Sequence, residues 1–263
     1  MLKRIGIHLS NDDAGKRRIE IGLQLAKKHE AEVVGIYPVY GSGGLQHEHG
    51  VIRQDVHNQL REAAKVIGVK AEWRVPQGNP EDVLALHARY CDVLIMSKAE
   101  RSVSASSLIA NLPEAVVMAA GRPVLMLPNY GTISPIGRRI LFCWDQRREA
   151  ARAFADAAPF LRACEELVIL EIDRDHKRLG ESDIHPDDIS RYCTSLGYPT
   201  PKRLEKTSAE HGVGNVILNA ATDTGSDLIV MGAYGHSRMR EWVMGGASRT
   251  LLSTMTVPVL LAH

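Results

Sequence analysis

Asp227-Leu-Ile-Val-Met-Gly232-Ala-Tyr-Gly235 and, after nine intervening residues, Gly245-Gly246-Ala-Ser248 together form an apolar run closed by two glycines and a glycine pair at the head of an amphipathic stretch. The run predicts a buried strand and the second pair the start of a helix. Glycines that close a strand let the backbone turn sharply and approach a ligand with no side chain in the way. Amides at the start of the following helix point at that ligand, where the helix dipole favours an anion. The stretch therefore reads as a phosphate cradle. It has neither the Lys that follows the last glycine of a Walker-type loop nor the dinucleotide GxGxxG spacing.

Working outward, the same pattern of strands occurs twice. Ile5-Gly-Ile-His-Leu-Ser10 lies over Ile140-Leu-Phe-Cys-Trp-Asp145, Asp92-Val-Leu-Ile-Met-Ser97 over Asp227-Leu-Ile-Val-Met-Gly232, and Arg122-Pro-Val-Leu over Val257-Pro-Val-Leu, each time at an offset of 135 residues. A constant register over most of the chain indicates a tandem duplication. The expected domains are residues 1–130 and 138–263, joined by the turn-rich Asn129-Tyr-Gly-Thr-Ile-Ser-Pro-Ile-Gly137.

In the second half, strands are expected near Arg139 to Cys143, Leu167 to Ile172, Pro201 to Leu204, Asp227 to Met231 and Pro258 to Ala262. Helices are expected at Arg148 to Arg162, with a kink near Pro159, and at Pro186 to Leu196, Gly214 to Thr222 and Gly246 to Met255. Strands alternating with helices make an α/β fold, here two tandem doubly wound parallel sheets of five strands. Ligands of such sheets sit at the carboxyl ends of the strands, beside the switch in strand order. The first and fourth strands border that crevice, so Asp145 and Gly232, 87 residues apart, should meet there.

Composition narrows the partners. The 263 residues are 44% hydrophobic and 24% charged, with Lys plus Arg at 32 against 31 Asp plus Glu, so no bulk charge recruits nucleic acid or an anionic membrane. Cys91, Cys143, Cys164 and Cys193 have neither CxxC nor metal-ligand spacing and read as buried thiols in a reducing compartment. The start of the chain reaches polar Ser10-Asn-Asp-Asp13 too early for a signal peptide, and no apolar run approaches the roughly 20 residues of a bilayer span. A cytoplasmic protein is expected.

The G-x2-G-x9-G spacing followed by a small residue, the Asp closing the first strand and the tandem five-strand units resemble the universal stress protein family. The resemblance is specific in the second half and structural only in the first. It implies a flavodoxin-like fold with strand order 3-2-1-4-5 and an adenine nucleotide as ligand, in stress-induced cytoplasmic proteins that usually dimerise. Some members of the family bind ATP and others do not. Carried over, Asp145 meets the adenosine end of the ligand, Ile172 lies beside the base, and Gly232, Gly235 and Gly245 are the phosphate-loop glycines, flanked by Met231 and His236. The chain departs from the ATP-binding pattern at Gly246, where Ser or Thr is usual, with Ser248 two residues on. The amides of Gly246, Ala247 and Ser248 remain as donors. In the first half Ser10, Ser97, Glu100, Ala110 and Asn111 replace Asp145, Gly232, Gly235, Gly245 and Gly246, so this half is not expected to hold ATP in the family manner. Its loss of the glycines further suggests that the fold does not need them.

Plainer roles stand beside these. Asp145 can cap a helix beginning near Arg147. His236, Arg238, Arg240 and Arg249 can meet a triphosphate or simply be solvated, His236 being the strongest candidate. Met239 and Trp242 read as packing residues. His47-Glu-His49, with His57 near, has unspecific metal spacing on an expected loop, and Ser102, Ser104, Ser106 and Ser107 read as a flexible connection. No catalytic or metal constellation stands out. The last strand of each half is an edge that invites pairing, within the chain as a pseudo-twofold or between copies as a homodimer. The expected function is a stress-response regulatory protein binding ATP, with or without Mg²⁺, in its second half. An interaction protein without nucleotide and a slow ATPase are the alternatives.

Overall fold

Ile5, Ile7, Val33, Val34, Ile36 and Leu94 to Met96 in the first half, and Ile140 to Phe142, Ile169 and Leu228 to Val230 in the second, are shielded from solvent on both sheet faces, as parallel strands sandwiched between helices require. The computed structural model describes residues 1–39, 46–98, 111–129, 135–174, 182–233 and 246–263. Over these residues the chain divides into two units, Met1–Gly131 and Thr132–His263.

The first unit comprises β1 (Arg4–His8), α1 (Asp13–His29), β2 (Glu32–Ile36), α2 (Gln46–Ile67), β3 (Ala71–Arg74), α3 (Pro80–Ala88), β4 (Val93–Ser97), α4 (Leu112–Ala120) and β5 (Val124–Leu127). The second comprises β6 (Arg139–Cys143), α5 (Arg148–Asp156), α6 (Ala158–Leu161), β7 (Glu166–Ile172), α7 (Asp188–Ser195), β8 (Lys202–Lys206), α8 (Gly212–Asp223), β9 (Leu228–Gly232), α9 (Gly246–Thr254) and β10 (Val259–Ala262). Within each unit the strands are parallel and run in the order 3-2-1-4-5: β3-β2-β1-β4-β5 and β8-β7-β6-β9-β10. The first, fourth and fifth strands of the two units are offset by the 135 residues read from the sequence. The second and third, matched through their pairing, are offset by 134 and 130, so the crossovers absorb the length differences.

The repeated aspartates that open the β4 and β9 segments have a structural reason. Asp92 Oδ2 accepts from the amides of Lys3 and Arg4 at 2.6 and 2.8 Å. Asp227 Oδ1 accepts from Gly137, Arg138 and Arg139 at 2.7, 3.0 and 3.2 Å. Each ties the start of the first strand to the start of the fourth, at the sheet end opposite the crevice.

The helices after the first strands differ. α1 is a single 17-residue helix whose N-cap, Asp12, accepts from the amide of Gly15 at 2.6 Å. α5 has nine residues and stops at Asp156, ahead of Pro159 in the first turn of α6. The expected kink is thus a break, because proline lacks the amide and crowds the preceding turn. α1 packs on β1, β4 and β2, whereas α5 packs mainly on β9 and β10.

Three of the four free thiols, Cys91, Cys164 and Cys193, are buried and Cys143 is half-buried. Burial pushes Cys143 up to about 12 and Cys91 and Cys193 to about 11, which leaves them protonated and inert at neutral pH. No helix among the described residues is long and apolar enough to cross a membrane. His47 and His49 lie at the start of α2 rather than on a loop.

Candidate functional site

β6 and β9 are neighbours, with Ile140, Leu141 and Phe142 opposite Leu228, Ile229 and Val230. Their carboxyl ends, just before Asp145 and at Gly232, therefore lie side by side as the topology requires. Trp144 extends the ladder by donating its amide to Leu170 at 2.9 Å. The chain then turns through Gln146, whose φ is 64°. In this turn Asp145 is exposed and its Oδ1 accepts from the amide of Arg147 at 3.0 Å, with Arg147 Nε 3.8 Å from Oδ2. Asp145 is not the helix cap. The N-cap of α5 is Arg147, which makes no capping bond with its side chain. Asp145 instead forms a turn one step earlier and keeps its carboxylate at the surface of the crevice end.

Strand alternation sorts the other expected residues. Cys143 pairs with Leu170, which puts Ile172 on the same sheet face two residues further on. Met231, one residue past Val230, belongs to that face too, and α8 packs on β6 and β7. Gly232 belongs to the opposite face, under α5. A Cβ on Gly232 would lie 2.5 Å from the carbonyl carbon of Glu149 and 2.6 Å from the amide of Ala150. Here the fold does need its glycine, contrary to the expectation drawn from the first half. The first turn of α5 presses backbone to backbone on the end of β9, and that packing by itself accounts for residue 232.

Gly235, His236 and Gly245 lie outside the described residues, as do Arg238, Met239, Arg240 and Trp242 and, in the first half, Glu100, the four serines of 102–107 and Ala110. Gly246, Ala247 and Ser248 form the first turn of α9, so their backbone amides occupy the start of a helix, as the sequence reading required.

Three features at this end were not legible beforehand. The first turn of α5 places Arg148 and Glu149 beside Gly232, and the Arg148 Nε–Glu149 Oε1 hydrogen bond of 2.5 Å holds the buried Glu149 below the usual carboxylate range. His263 Nδ1 lies 3.0 Å from the carbonyl of Ala233 and steadies the strand end from the other side. At the end of β7 a buried ionic group has formed. Glu171, 3% exposed, binds Arg203 Nη2 at 2.6 Å and Arg174 Nη1 at 3.3 Å, and Arg203 Nη1 reaches Asp187 at 2.6 Å. This group fixes the chain just after Ile172. Its only trace in the sequence is the charged strand Lys202-Arg-Leu-Glu-Lys206.

Fold and crevice define the class: tandem doubly wound α/β units of flavodoxin-like order, with an acidic residue after the first strand of the second unit and a glycine-rich connection after its fourth. The sequence model of the universal stress protein family matches residues 137–263. It is the second unit that matches this family, and the chain carries two units of one topology, a tandem arrangement. It is similar to universal stress protein Slr1230 of Synechocystis sp., 27% identical over 247 residues, covering 84% of this chain and 81% of that protein. In structure it resembles a universal stress protein of Archaeoglobus fulgidus at TM-score 0.78 and 16% identity, covering 98% of this chain and 97% of that one. It also resembles a functionally unknown protein of Pseudomonas aeruginosa at TM-score 0.62 and 14% identity, covering 99% and 92%.

Proposed function

We propose that the second unit binds ATP at the carboxyl ends of β6 and β9 and that the protein is a stress-response regulatory module, with the first unit not taking nucleotide in the same manner. The observation that carries this reading is the Asp145 carboxylate, held exposed at the end of β6 beside the strand that runs into the glycine-rich connection. It lies inside the segment that matches the family.

The residues present fit such a ligand. Asp145 has an oxygen to accept from a ribose hydroxyl, and Ile172 ends β7 half-buried on one sheet face with Met231. The amides that open α9 suit phosphate oxygens, and Gly246 in place of a hydroxyl residue leaves the backbone as donor there. Bound ATP would bring a flat base and a polyanion, with or without Mg²⁺, to this surface. The mechanism is then a shift in the surface offered to a partner rather than turnover.

Titration calorimetry of the whole chain with ATP and Mg²⁺ tests this. A saturable heat is expected, weakened about tenfold or more by Asp145→Ala through the lost charged hydrogen bond. The absence of heat at millimolar nucleotide would overturn the reading. Asp145 is the informative position because a change at Gly232 disturbs α5 whatever the ligand.

A further inference from the structure

The corresponding end of the first unit carries its charges at other positions. Ser10 stands at the place of Asp145, and eight residues later Arg18 stands at the place of Ala153. Arg18 is 3% exposed. Its Nε donates to the carbonyl of His8 at 2.6 Å and its Nη2 donates to Ser10 Oγ. Both acceptors are neutral. Among the described residues the carboxylate oxygen that comes near it, Asp12 Oδ1, is 4.0 Å away and is already engaged by the amide of Gly15 and by Ser10 Oγ at 2.6 and 2.7 Å. Burial lowers Arg18 to about 10, which keeps it cationic at neutral pH. A buried cation without a hydrogen-bonded counter-ion is costly, and proteins normally pair it.

A second buried polar group faces the same place. A Cβ on Gly22 of α1 would meet Ile7 Cδ1 and Ile95 Cδ1 at 2.4 and 3.3 Å, so α1 lies on the sheet face of those residues. Ser97 is two residues beyond Ile95 on that face, and Arg18 is one helical turn before Gly22, towards the carboxyl ends of the strands. Ser97 is 4% exposed, and its Oγ has no hydrogen-bond partner among the described residues. The start of α1 points its positive end to the same region. The half-buried His8 stays neutral, its affinity for a proton depressed by burial and then by Arg18.

We infer that the carboxyl end of β1 and β4 in the first unit is a site for a small oxyanion, a phosphate or carboxylate group received by the Arg18 guanidinium and the Ser97 hydroxyl. This is separate from the nucleotide reading of the second unit. It needs no glycine cradle, because side chains rather than backbone supply the donors. The guanidinium would give the anion planar paired N–H groups, and the anion would complete the charge balance that Asp12 leaves open.

Thermal unfolding and calorimetry with inorganic phosphate, at constant ionic strength against chloride, test the inference on the intact chain. Wild type should show saturable binding and a rise in Tm. Arg18→Met should abolish it. Ser97→Ala, a small change at a buried site, should weaken it severalfold while the fold is kept, as checked by circular dichroism. No saturable phosphate response in wild type would overturn the proposal. A response that survives Arg18→Met or Ser97→Ala unchanged belongs elsewhere, including the second unit, and would overturn it equally. ATP binding by calorimetry should be indifferent to Ser97→Ala, which keeps the two readings distinguishable.

Discussion

The two units share one topology and register, yet at the carboxyl ends of their strands they differ at nearly every position that decides chemistry. His8, Ser10 and Ser97 in the first become Cys143, Asp145 and Gly232 in the second, and the capping Asp12 becomes Arg147. The strand pairing extends the comparison. With Ile36 opposite His8 and Leu170 opposite Cys143, Tyr37 and Trp73 of the first unit occupy the places of Glu171 and Arg203 in the second. There Trp73 stacks on His57 at 4.9 Å and tilts against Tyr37 at 5.9 Å, an aromatic group where the other unit has an ionic one. The amino ends by contrast carry the same aspartate staple in both. The common end holds the fold together, and the divergent end was free to take different ligands.

The sharpest way to break this comparison is at the ionic group. Glu171→Ala leaves the buried Arg174 and partly buried Arg203 without their shared carboxylate and should cost about 3 kcal/mol in urea unfolding. Tyr37→Leu at the equivalent place should cost less than about 1.5 kcal/mol, since it removes packing and strands no charge. Equal losses would mean that the ionic group is not what holds the second unit at this point.

Next in size is the exchange at the end of the fourth strand. Gly232→Ser, which installs the first unit's residue, forces α5 off β9 and should destabilise by about 2 kcal/mol, measured in the same way. The reverse change, Ser97→Gly, should cost no more than about 1 kcal/mol. A neutral Gly232→Ser would show that α5 yields easily and that the glycine is kept for another reason.

The smallest effect is a pH dependence confined to the first unit. His8 binds a proton less readily folded than unfolded, mainly through burial. Below about pH 6.5 the unfolded chain takes up a proton that the folded chain refuses, so stability falls as pH drops and is level above that value. One such group contributes a slope of at most about 1.4 kcal/mol per pH unit. His29 and His87 are shifted in the same direction and add to it. His8→Cys, the second unit's residue, should flatten the slope between pH 6.5 and 5.5 by up to one proton. An unchanged slope would show that His8 is not among its sources.

Much of this molecule was legible in order of residues. The strands came from short apolar runs, the duplication from a constant offset, and the neighbouring carboxyl ends of β6 and β9 from the strand order that such a sheet adopts; the kink expected at Pro159 became a break. The rest had no local signal. Asp145 forms a turn before the cap because Gln146 takes a positive φ, which the residue type does not announce. The glycine at 232 looked like room for a ligand, and it also makes room for a helix, which depends on where α5 lies across β9 and β10. Glu171, Arg174 and Arg203 come from separate segments, and only strand pairing makes them one group. Nothing beside Arg18 in the sequence marks it as buried.

By itself the sequence determined the fold class and the tandem repeat, because hydrophobic period and register are local and repeat along the chain. Only the tertiary structure decided which charges are buried and what opposes them. Desolvation and pairing belong to distances between segments, and the same arginine is solvated surface in one packing and, in another, a buried cation hydrogen-bonded to neutral groups with its carboxylate only at 4.0 Å.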